Sequence, residues 1–251
     1  MRPIDKGPCP QIDGKDKTVN KYAEWRKDLI DRIGSYCVYC NMPITHSLQV
    51  EHVIPKNPRK GEAQGDLLSW DNMLLACGPC NRAKWNKPSN EQLHYLPESH
   101  NTLIPFKAKY IENNPKALVI EVNHLLTNNQ TDKAQETINL FKFENIDPRD
   151  EIVDLRWMER AKEKLRVNAA RELLDEVKNS PGYNADLIGK LIALQATGFF
   201  FLWFKEFENE PNVIKWLIHP DCFPGVAQIC FDKENNYKLL NRNPYNKVDP
   251  I

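Results

Sequence analysis

This sequence has no excess of charge of either sign. Its 34 lysines and arginines are matched by 34 aspartates and glutamates. That balance excludes a uniformly basic nucleic-acid coat, though it leaves room for a local basic patch. No apolar run is long enough to span a bilayer. The longest, Leu191 to Phe204, is bounded by Lys190 and Lys205 and is expected to form a buried helix, so no membrane association is expected. The opening "MRPIDKGPCPQ" is polar and proline-rich, with none of the charged-then-apolar pattern of a secretory leader. Internal repeats and low-complexity segments are also missing. An odd total of seven cysteines argues against a secreted disulfide scaffold and for a cytoplasmic setting with reduced thiols. What remains is an ordinary globular composition, 41% hydrophobic and 27% charged over 251 residues, enough for one large or two small domains.

The cysteines that are present fall into a pattern. Cys37/Cys40 and Cys77/Cys80 form two Cys-x-x-Cys pairs, in which a two-residue gap lets both sulfurs face one point. Four thiolates fill the tetrahedral shell of one Zn²⁺ and leave no open position, which makes the expected zinc structural. Cys9, Cys222 and Cys230 have no ligand spacing and read as ordinary thiols.

Between and just after the pairs lies a second set of chemically capable residues. The string Cys37-x-x-Cys40, Val50-Glu51-His52-Val53-x-Pro55, Trp70-x-Asn72-x-Leu74, Cys77-x-x-Cys80-Asn81-x-x-Lys84 resembles an HNH endonuclease with a ββα-metal active site. The likeness covers about one fifth of the chain. It implies an H-N-N variant with Asn81 in the last motif position and Glu51 in place of the commoner aspartate. In that reading His52 is the general base, Asn72 orients it by a hydrogen bond, and Glu51 and Asn81 hold a catalytic ion. The chemistry is consistent. Neutral imidazole is available near pH 7, and carboxylate and amide oxygens suit Mg²⁺ or Mn²⁺. Neighbours on a strand point to opposite faces, so a local distortion is expected at Glu51–His52. Arg82, Lys84 and Lys87 are candidate phosphate contacts. From His52 to Lys87 six basic residues face three acids, a local excess that could attract a phosphate backbone. No aromatic stacking ladder or base-reading motif is apparent. His46, His94, His100, His124 and His219 read as structural or exposed.

The fold class expected is α+β, mainly α. A zinc-stapled ββα module lies in residues 1–126 with an extended arm over 1–17, and a helical domain spans 127–251. Apolar spacing predicts a helix over Val19–Ile33 stopped by Gly34, a loop at "NPRKGEAQGD" and a strand at Ala117–Val122. It also predicts a helix from an Asp147 N-cap with Pro148 at its first position, carrying Ile152, Leu155, Met158, Leu165, Ala169, Leu173 and Val177. A further helix is expected over residues 185–208. The order "MRPIDKG", HNH-like core, "NTLIPF", helical half and "FPGVAQICFD" resembles the nuclease subunits of Septu-type and retron-associated anti-phage systems, which implies an ABC-like ATPase partner. Residues 131–208 would dock that partner or form a self-contained bundle. The functional alternatives are a stand-alone restriction- or homing-type DNase and a non-catalytic zinc module that binds nucleic acid. The substrate is expected to be DNA, with RNA open.

Overall fold

A computed structural model describes residues 1–87, 89–146 and 154–251. The chain opens on a two-residue hairpin, β1 (Gln11–Ile12) and β2 (Lys15–Asp16), turned at Asp13 and Gly14, both at positive φ as such a tight turn requires. The segment before it is no free arm. Met1, Arg2 and Ile4 are buried, Ile4 bridges to Val226, and its amide donates to the Pro97 carbonyl. Apolar Ile4 gains by joining the core that an extended arm would leave.

A 3₁₀ turn at Tyr22–Trp25 leads into α1 (Arg26–Ile33), which buries Leu29 and Ile33 and ends where Gly34 takes φ 75. β3 (Gln49–His52) pairs antiparallel with β4 (Met73–Ala76), and α2 (Gly78–Lys84) follows directly. This is the expected ββα order. The β3–β4 ladder runs from Gln49–Ala76 to His52–Met73 with no register shift, so the expected distortion at Glu51–His52 does not occur in the pairing.

The predicted strand lies within β6 (Asn114–Val122), which forms a hairpin with β5 (Phe106–Ile111). α3 (Asn128–Phe141) begins with a reciprocal capping box between Thr127 and Gln130. Asp147, Pro148 and Ile152, expected at the start of the next helix, lie outside the described residues. That helix, α4 (Arg156–Val177), has Leu155 as its N-cap. Its leucine stripe is turned outward, with Leu165 and Leu173 exposed. The buried face instead carries Ala161, Val167, Ala170 and Leu174, together with Arg160, donating to the Leu118 and Phe143 carbonyls, and Glu163, accepting from the Trp203 indole at 2.7 Å. Buried polar groups with such partners can displace an apolar stripe.

The single helix expected over 185–208 is two: α5 (Ala185–Gln195) and α6 (Phe200–Phe207). The break lets the Phe199 amide donate to the Asn41 carbonyl at 2.7 Å, and Gly198 lies so close to Pro43 that a Cβ there would sit 2.4 Å from its ring. α7 (Pro211–Leu217) and the short pair β7 (Phe231–Asp232) and β8 (Lys238–Leu239) complete the chain. Seven α-helices and four two-stranded sheets thus make a mixed fold among the described residues, none of whose helices is long and apolar enough to cross a membrane.

One hydrophobic core runs through both halves, from Trp25, Tyr39 and Leu75 to Phe141, Trp203 and Phe231. Phe199 to Phe204 lie inside it, all buried.

Candidate active site and metal centre

The two knuckles converge. Cys37 and Cys40 sit on the tight turn after Tyr36. Cys77 caps α2, its sulfur accepting from the Cys80 amide, and Cys80 lies in the first turn. All four sulfurs fall within 4.8 Å of one another, and Cys40 and Cys77 are 3.7 Å apart. A tetrahedral ion at Zn–S distances of about 2.3 Å requires sulfur pairs about 3.8 Å apart, so the cluster fits Zn²⁺ with little rearrangement. Cys9, Cys222 and Cys230 stay outside the cluster. A buried cation not anticipated from the sequence completes it. Arg156 donates to the Cys80 sulfur at 3.0 Å, while Asp154 and the Phe141 and Lys142 carbonyls hold its other nitrogens. A zinc with four thiolates carries net negative charge, which a fixed guanidinium offsets.

β3 and α2 place the second set around a cleft of about 220 Å³, lined among others by Tyr22, Glu51, His52, Lys56, Asn81 and Trp85. His52 is 7% exposed, and its Nε2 lies 3.2 Å from the Leu67 carbonyl. A carbonyl only accepts, so Nε2 carries the hydrogen and Nδ1 keeps its lone pair. The Tyr22 ring packs edgewise on the imidazole at 4.7 Å, and Lys56 lies over the far ring at 4.7 Å. Burial lowers the His52 pKa. The Leu67 contact acts upward, and the Lys56 and Lys84 charges act downward again.

Asn72 does not bond His52 as expected. Its side chain accepts from the Ile54 amide and donates to the Ile54 and Asp66 carbonyls. It therefore ties the loop leaving β3 to the residue before Leu67, and so sets the carbonyl that orients the imidazole. Gly65 makes that closeness possible, since a Cβ there would lie 2.5 Å from the Asn72 amide nitrogen and 2.2 Å from the Ile54 carbonyl.

Glu51 is buried. Lys84 pairs with one of its oxygens at 2.6 Å, and the Tyr39 hydroxyl donates to the other at 2.7 Å. Burial raises its pKa, while Lys84 and Tyr39 pull it down. Lys84, expected at the phosphate, is instead fully buried and also donates to the His52 carbonyl at 2.8 Å. A buried carboxylate needs this countercharge more than the surface needs another lysine. Asn81 donates through Nδ2 to the Gln49 side chain at 2.7 Å, leaving its side-chain Oδ1 as the free acceptor. Arg82 is exposed but lines a different groove with Lys142 and Arg156, and Lys87 lies beyond α2, outside the cleft. The lysine in the cleft is Lys56.

Residues 37–87 match the family model for HNH endonuclease. The HNH domain thus contains both knuckles, His52, Asn72 and Asn81, about one fifth of the chain. No curated protein and no solved structure matches the chain. The hard oxygen donors here are the Glu51 carboxylate, whose two oxygens are held by Lys84 and Tyr39, and the Asn81 side-chain amide, donor types that suit Mg²⁺ or Mn²⁺. An ion there would share Glu51 with Lys84.

Proposed function

We propose that this protein is a metal-dependent endonuclease that hydrolyses phosphodiester bonds. The observation that carries the reading is the His52 tautomer, fixed by the Leu67 carbonyl, in a cleft shared with Asn81 and Lys56. His52 takes a proton from water at Nδ1. The water oxygen forms a bond to phosphorus as the bond to the leaving oxygen breaks. Depressed basicity keeps His52 neutral near pH 7, and the Tyr22 ring and Leu67 carbonyl fix the plane of the imidazole. Glu51 and Asn81 would hold a divalent ion, which when bound supplies positive charge for the phosphate and leaving oxygens. Lys56 brings a cation to the same cleft. The four cysteines would hold a structural zinc that takes no part in the reaction.

The test is incubation of the purified chain with plasmid, single-stranded DNA and total RNA in Mg²⁺ or Mn²⁺. His52→Ala should lower cleavage by about 10²–10⁴-fold while leaving the fold and zinc content unchanged. Retention of more than about half of the wild-type rate would exclude His52 as base, and a wild type that cleaves none of these substrates would favour a non-catalytic zinc module. DNA remains the substrate proposed, and cleavage of RNA alone would reverse that assignment.

A finer reading, an effector of anti-phage defence acting with an ABC-like ATPase, is supported by the order of segments outside the HNH domain. Its docking surface is not the run Phe199–Phe204, which this chain buries. One exposed apolar face on the helical half is Leu187, Leu191 and Leu194, three leucines at helical spacing on α5.

A further inference from the structure

Trp85 is placed where the fold has no use for an indole. It caps the C-terminus of α2 at φ 47, ψ −123, in the region of positive φ that favours glycine. Its contribution to the cap is a backbone one, its amide donating to the Asn81 carbonyl at 2.8 Å, which any residue but proline would make. The side chain is 72% exposed. Yet it lines the cleft with His52, Asn81 and a half-buried Tyr22 that carries Lys56 on its face. A cation for the backbone beside an open π-face for a base is the composition of a single-strand groove.

We propose that Trp85 stacks on an unpaired nucleobase next to the scissile phosphate, so that the protein cuts single-stranded or locally unpaired nucleic acid in preference to intact duplex. In a duplex both faces of each base are covered by neighbours, and an indole reaches one only where the stack is open. The proposal rests on the nuclease reading and extends it to substrate class. Trp85 acts here as a binding and specificity residue, and His52 remains the base.

The experiment compares wild type with Trp85→Ala, Trp85→Phe and Trp85→Gly. The substrates are one oligonucleotide sequence as single strand, as duplex, and as single strand with one abasic nucleotide on either side of the cut. Stacking is worth enough per base that Trp85→Ala should raise KM on the single strand by about tenfold, with kcat little changed and duplex cleavage unaffected. Trp85→Phe should restore most of the loss. An abasic nucleotide at the stacked position should reproduce the loss in wild type and add nothing in Trp85→Ala. Trp85→Gly should melt no lower than wild type, since glycine accepts this backbone. Binding is read separately in the His52→Ala background, where single-stranded oligonucleotide should quench indole fluorescence, and the quench should vanish with Trp85→Ala. Equal constants for wild type and Trp85→Ala on both strand forms overturn the proposal and leave the nuclease intact. Quenching that depends on Trp85, together with a wild type that cuts none of these substrates, supports stacking and refutes the nuclease. Unchanged cleavage together with lost capture of a protein partner would assign the indole to a protein interface and overturn the proposal.

Discussion

His52 is a weaker base than a free histidine and is neutral over a wider range of pH. Burial is the main cause, and Lys56 and Lys84 add to it against the upward pull of the Leu67 carbonyl. A lowered pKa means that protonation, and loss of the base, is half complete only below the ordinary value of 6.5. The acidic limb of kcat/KM, measured between roughly pH 5 and 8, should therefore fall below that value. Lys56→Gln removes a positive neighbour, so the limb should move up in pH; a limb that stays put would mean Lys56 does not act on His52. Lys84 gives a sharper contrast between two roles. Removing it leaves Glu51 buried without its countercharge, which typically costs about 3–5 kcal/mol. Lys84→Met should therefore lower the denaturant midpoint markedly. If stability holds and only KM rises, Lys84 reaches the phosphate after all.

At the scale of elements, α2 concentrates the site. In seven residues and its two caps it presents Cys77 and Cys80 to the cysteine cluster, Asn81 to the cleft, Lys84 to the core and Trp85 to solvent. Helical geometry separates these duties, since residues one apart point about 100° from each other around the axis. An ion held by the four cysteines would tie the start of α2 to the knuckle after α1. Structural zinc contributes about 10–16 kcal/mol to small finger peptides. Cys80→Ser should consequently lower the melting temperature before it affects any rate constant of the surviving folded protein. Metal analysis of the wild type should give about one zinc per chain. A well-folded Cys80→Ser protein with unchanged melting and no zinc in the wild type would remove the structural-ion argument.

The whole molecule is closed by contacts between its ends. Ile4 bridges to Val226, Arg242 donates to the Ile4 and Pro97 carbonyls, and the Asn101 side chain donates to the Cys230 and Leu240 carbonyls. Phe141 stacks on Tyr39 at 4.1 Å, and Arg156 meets Cys80. The module that carries the chemistry is thus completed by residues far beyond it. A fragment ending at residue 126 would expose Tyr39, the zinc sulfurs and the face of β6 that α4 covers. We expect it to lack a cooperative thermal transition and to aggregate. A soluble fragment that melts cooperatively and retains zinc would show that residues 1–126 fold alone.

How much of this was legible depended on whether the signal was local. The Cys-x-x-Cys spacings, the Glu51-His52 pair and the position of Asn81 after Cys80 are short-range patterns, and they identified the metal cluster and the cleft residues. Turn and helix signals were read equally well where they were local, as at Gly34. By itself the sequence determined the ββα order, the four-cysteine centre and the identity of the candidate base. The tertiary structure decided the rest. It put Lys84 on Glu51, because a buried carboxylate requires a countercharge that spacing along the chain does not reveal. It used Asn72 to hold the loop that carries Leu67, split residues 185–208 where Gly198 passes Pro43, and turned α4 so that Arg160 and Glu163 face inward. Each of these depends on which distant group arrives as a partner, and periodicity describes only a segment's own faces.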